Sequence, residues 1–81
     1  MIEKYSIEEA YSFFHQKWNV YRRSNMDWQK DDIEWAIGDY VSQMNPKLYD
    51  AIRQGHPHYL TDHASFAHDL EEAVSLLEAM L

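Results

Sequence analysis

Residues 27–44 read DWQKDDIEWAIGDYVSQM, and the spacing of their apolar side chains decides the fold. At about 100° per residue, Ile33, Ala36, Ile37, Tyr40, Val41 and Met44 fall on one side of a helix, the i, i+3, i+4, i+7 recurrence of a helix laid on a core. No alternation of period two competes with it. The stretch therefore predicts a helix between Asp27 and Met44, with Ser24-Asn25 as the break before it and Asn45-Pro46 closing it. Met26 extends the stripe if the helix starts early, and Gly38 costs it about 1 kcal/mol relative to alanine. Trp28 and Trp35 lie seven residues apart and project almost opposite the aliphatic side, with Asp31, Asp32 and Asp39 sharing or flanking theirs.

Outward from this segment the same reasoning finds three more helices. Before it, Ser6-Ile7-Glu8-Glu9 has the form of a capping box, in which Ser6 would take an orphan amide and Glu9 would reach back to the cap. From there to about Arg23, Ile7, Ala10, Tyr11, Phe14, Trp18 and Tyr21 make one inward row, and Phe13 and Val20 sit on an adjoining side. After it, Asn45 suits an N-cap, Pro46 the first helical position and Gly55 the left-handed C′ position, so a short helix with Leu48, Ala51 and Ile52 inward is expected. His56-Pro57-His58-Tyr59-Leu60 reads as a connector, because Pro57 disfavours helical geometry at His56. Thr61 or Asp62 caps a last helix running towards the C-terminus, with Phe66, Ala67, Leu70, Ala73, Val74, Leu77 and Met80 inward. The expectation is all-α: a bundle of three longer helices plus one short helix, a single domain over residues 1–81.

Composition narrows the function classes. The 81 residues carry fourteen acidic and seven basic side chains, a formal net charge of −7, and no cysteine. Disulfides, thiolate metal sites and cysteine nucleophiles are thereby excluded, and a reducing compartment fits best. Every lysine and arginine lies at or before Arg53, so the C-terminal third gains positive charge only at histidine. Direct nucleic-acid binding is disfavoured, because it needs clustered cations. The start of the chain, Met1-Ile2-Glu3-Lys4-Tyr5-Ser6, lacks a basic segment followed by an apolar run, and no stretch is apolar enough to span a bilayer. A cytoplasmic protein without membrane contact is expected.

Chemistry-bearing residues are sparse. Trp28 and Trp35, with Asp31, Asp32 and Asp39 around them, form the leading candidate for a partner-binding surface, since exposed tryptophans dominate many interfaces. The competing placement buries both rings against Phe13 and Val20 of the first helix or against the last helix. His56, His58 and His63 are weak metal candidates, near Asp62; His63 and His68 are five residues apart, about 140° around a helix, and do not converge from a regular one. His68 and Glu72 share a helical side, an ordinary surface pair. Asp31-Asp32 and Glu71-Glu72 diverge by about 100° and suit no paired-carboxylate chemistry. With two glycines in the chain, phosphate cradles are nearly excluded. Neither an enzyme nor a bound cofactor is expected.

Leu76, Leu77, Met80 and Leu81 leave an apolar edge that a second copy or the chain's own core could cover. The reading is a small acidic adaptor, inhibitor or immunity-type protein that occupies a basic surface on another protein. A self-associating accessory subunit, monomer giving way to homodimer, is the alternative from another class, and a nucleic-acid mimic is a third.

Overall fold

The computed structural model describes residues 3–81; Met1 and Ile2, the first residues of the segment read as lacking a leader, lie outside them. The helices are α1 (Lys4–Arg23), α2 (Asp27–Gln43), α3 (Pro46–Arg53) and α4 (Phe66–Met80), the last preceded by a 3-10 turn at His63–Ser65. No strand occurs among the described residues. Three long helices and one short one follow in the expected order, and a radius of gyration of 11.9 Å matches the roughly 12 Å of a compact chain of this length.

Local chemistry sets each boundary. The chain leaves α1 at Ser24, whose backbone N–H still reaches Val20 O at 3.0 Å. Its hydroxyl then accepts from Met26 N at 3.2 Å and donates to Gln29 Oε1 at 2.7 Å, pinning the first turn of α2. Asn45 caps α3 by accepting from Lys47 N at 2.9 Å, with Pro46 in the first turn. At the other end Gln54 (φ 51) and Gly55 (φ 80) both turn left-handed. Asp62 accepts from Ala64 N at 3.0 Å, so it caps the 3-10 turn, and the α-helix proper begins only at Phe66.

The start of α1 departs from expectation. The helix begins at Lys4, with Glu3 in the cap position and no side-chain cap bond, so Ser6 lies inside the helix and no capping box forms. Ile7 N–H is satisfied by Glu3 O at 3.3 Å, the first backbone bond of a helix that starts two residues before Ser6.

The core is built from Ala10 and Phe14 of α1, Ile33 and Ile37 of α2, Leu48 and Ile52 of α3, and the Phe66, Leu70, Ala73, Val74, Leu77 row of α4. Tyr21, near the end of α1, meets Phe66 at the start of α4 with ring centroids 5.3 Å apart, so these two helices run antiparallel. Helix α2 joins α1 through Phe13, which stacks on Tyr40 at 4.4 Å between centroids. Three residues assigned inward lie on the surface: Met26, which precedes α2, and Ala67 and Met80, which fall in the first and last turns of α4.

The connector contributes to the core as well. Tyr59 and Leu60 are both buried. The Tyr59 hydroxyl donates to Asp69 O at 3.0 Å and to Glu72 Oε1 at 3.2 Å, while Tyr49 donates to Tyr59 O at 2.7 Å. Leu60, in the left-handed region at φ 65, donates its N–H to Asp69 Oδ2 at 3.1 Å, and Ser65 Oγ donates to the same oxygen at 3.1 Å. Asp69 is the one buried charged side chain among the described residues, and these two donors replace the water it has lost. Burial, followed by the neighbouring Glu72 carboxylate, holds the Tyr59 phenol far above its ordinary ionisation range.

Candidate functional site

The candidate site lies on the outer side of α2. Trp28 is 62% exposed and Trp35 74% exposed, which overturns the placement of both rings against α1. Phe13 is occupied instead by Tyr40, and Val20 is itself exposed. On helix geometry, Trp28, Asp31, Asp32, Trp35 and Asp39 fall within about 100° of arc, and the two indoles stand about 10 Å apart along the axis. All three aspartates are exposed. Asp32 sits between the rings, while Asp39 is steadied by Gln43 Nε2, which lies 3.3 Å from each carboxylate oxygen.

Beside Trp35 the surface dips into a groove of about 300 Å³ between α2 and the turn leading into α4. Glu34, Trp35, Gly38 and Asp39 form one wall, and Leu60, Thr61 and Phe66 the floor opposite. Asp69 fixes that floor, because it holds the backbone at Leu60 and the hydroxyl at Ser65. A Cβ on Gly38 would meet nothing within 4 Å, so no side chain of the molecule fills the notch that this glycine leaves.

A second recess of about 310 Å³ lies on the flank of α2, lined by Tyr21, Asp27, Lys30, Asp31, Glu34 and His63. Here His63 Nδ1–H donates to Glu34 at 2.8 Å (Oε1) and 3.0 Å (Oε2), clasping the 3-10 turn to α2. The hydrogen bond to Glu34, followed by that carboxylate's charge, raises the His63 pKa above its ordinary value. The pairing spans 29 residues of sequence and joins side chains of different elements, so neither periodicity nor a motif could have announced it.

The histidine group read from the sequence is not brought together. His56 Nδ1–H donates to Pro57 O at 3.1 Å with its ring centroid 6.1 Å from that of Tyr59, His58 is exposed on a left-handed backbone, and His63 turns away to Glu34. His68 Nε2 stands 3.7 Å from Glu72 Oε2 on α4, one turn along the same helix. The convergent set among the described residues is instead Asp31, Glu34 and His63, whose ligand atoms lie within 4.8 Å of one another. In it the imidazole is already engaged by both oxygens of Glu34, the geometry of a hydrogen-bonded ion pair.

No helix among the described residues is long and apolar enough to cross a membrane. No protein family, curated protein sequence or solved structure matches the chain.

Proposed function

We propose that this protein is a non-catalytic binding module that docks through the outer side of α2 onto a basic, partly apolar surface of another protein. The observation that carries the reading is the exposure of Trp28 and Trp35 on one side of a helix whose opposite side supplies Ile33 and Ile37 to the core. Each indole left in water forgoes the stabilisation that burial of a large ring would bring, and nothing within the fold recovers it. Asp31, Asp32 and Asp39 surround the rings with negative charge, which suits an apolar slot rimmed by lysine and arginine. Long-range attraction to the net charge of −7 would speed encounter, and burial of the indoles would set how long the complex lasts.

A photo-crosslinking residue at Asp32, between the two rings, tests the reading in cells that express the chain, with one at Glu78 on α4 as the control position. The expected result is an adduct with one protein at position 32 and not at 78, absent from a folded Trp28→Ala/Trp35→Ala variant. Equal adducts at both positions, or an adduct indifferent to the tryptophans, would refute it.

A second reading rests on a separate observation. Because α1 and α4 are antiparallel, the start of α1 and the end of α4 share one end of the molecule, where Tyr5 (70%), Met80 (38%) and Leu81 (50%) are exposed. Covering this end with a second copy would make a homodimer. Light scattering at micromolar concentration showing a monomer would remove that alternative.

A further inference from the structure

The groove beside Trp35 opens on the docking surface just proposed, and the inference drawn from it rests on that reading. Three observations converge on it. First, Gly38 occupies the interior of α2, where glycine costs a helix about 1 kcal/mol relative to alanine, yet a Cβ there would touch nothing within 4 Å. Packing within the chain therefore gives no reason for the bare position; close approach by something outside the chain does. Second, the floor is fixed: Thr61 lines it with Leu60 and Phe66, the latter two only 1% exposed at its base, and Leu60 is held by the Asp69 carboxylate. Third, Asp39 lines it as an exposed carboxylate, while Glu34 is engaged by His63, and Asp31 and Asp32 lie beyond on the same helix.

We infer that this groove takes one aliphatic side chain, of leucine or isoleucine size, from a partner segment that places arginine or lysine next to it. The side chain would lie over Gly38 towards Leu60 and Phe66, with Trp35 as one wall, while a flanking cation would meet Asp39. The contact then runs both ways: the indoles enter the partner, and a partner residue enters the notch.

A displayed library of random peptides, selected on the intact protein, tests this directly. The expected yield is a motif with one aliphatic residue flanked by arginine or lysine. A synthetic peptide of that motif should shift the Gly38 amide and the Trp35 indole N–H resonances. Gly38→Leu, which has open space to fill, should keep the fold and weaken that peptide by about tenfold or more. Failure to select any peptide, a motif without cations, or equal affinity for Gly38→Leu and the parent overturns the groove.

The Trp28→Ala variant separates this inference from the reading beneath it, because Trp28 stands outside the groove. Peptides weakened by Trp28→Ala but not by Gly38→Leu would leave the α2 surface standing and remove the groove. Peptides weakened by Gly38→Leu alone would keep the groove and take Trp28 out of the contact.

Discussion

The carboxylate of Asp69 holds the backbone of Leu60: an N–H···Oδ2 bond of 3.1 Å fixes a left-handed leucine on the inner surface of the connector, nine residues from its acceptor. Asp69 is 2% exposed, and its bond to Ser65 Oγ adds the second of two donors to one oxygen. Replacing Asp69 with alanine strands the Leu60 amide without water, so the loss should be about 3 kcal/mol, against about 1 kcal/mol for Asp69→Asn, which keeps an acceptor. Urea midpoints of the two variants measure the difference. Equal midpoints would mean that the connector is held by packing alone.

The Tyr59 phenol makes a prediction at alkaline pH. Its ionisation is pushed up by burial and then by Glu72, whereas in the unfolded chain it titrates at the ordinary value of 10.0. The unfolded state therefore releases this proton first, and stability should fall as pH rises above about 10. Absorbance of ionised tyrosine should show Tyr59 titrating only with loss of helix, and Tyr59→Phe should lessen the alkaline decline at a cost of about 1 kcal/mol at neutral pH.

The clasp between His63 and Glu34 has the opposite direction of pH response from a carboxylate pair. The folded His63 holds its proton more tightly than the unfolded one, so its contribution is complete below the ordinary histidine range and fades as pH rises through the raised folded value. Proton NMR of the His63 ring should give a midpoint above 6.5 that moves back towards it in Glu34→Gln. A midpoint indifferent to that substitution would remove the clasp.

Gly38→Ala should stabilise the fold by up to about 1 kcal/mol, since α2 gains a better helix former and the added Cβ meets nothing within 4 Å. Thermal unfolding checks it. A lower Tm would show that α2 is strained at this position in a way its geometry does not record.

Gln54→Gly should also stabilise, by about 1 kcal/mol. Gln54 is exposed at φ 51, where a side chain crowds the backbone and glycine does not. An unchanged urea midpoint would place the strain elsewhere in the 54–60 segment.

The helices were legible wherever a residue type has one physical meaning at one position. Asn45-Pro46 and Gly55 bracket α3 because a side-chain acceptor, a fixed φ and a left-handed turn are each demanded there. The Ile33/Ile37 side of α2 followed from period, and so did the opposite direction of Trp28 and Trp35; their exposure did not, because whether a neighbour covers that side depends on the packing of α1 and α4. Ser6 had the right spacing for a capping box, but the helix propagates through Lys4 and Tyr5 before it. The burial of Tyr59 and Leu60 was hidden because the bonds that bring them inward join residues nine to thirteen apart across a bend, where no periodicity applies. The pairing of His63 with Glu34 rather than with His56 and His58 was hidden for the same reason at longer range.

The disposition of the three tryptophans decides what the chain's own light reports. Trp28 and Trp35 already stand in water, and Trp18 alone is half-buried, with its ring facing Tyr21 at 6.3 Å. Emission from the native protein should therefore be red-shifted before any denaturant is added, and unfolding should alter it little. A shift to the blue is left to mark occupancy: fluorescence in this molecule watches its outside.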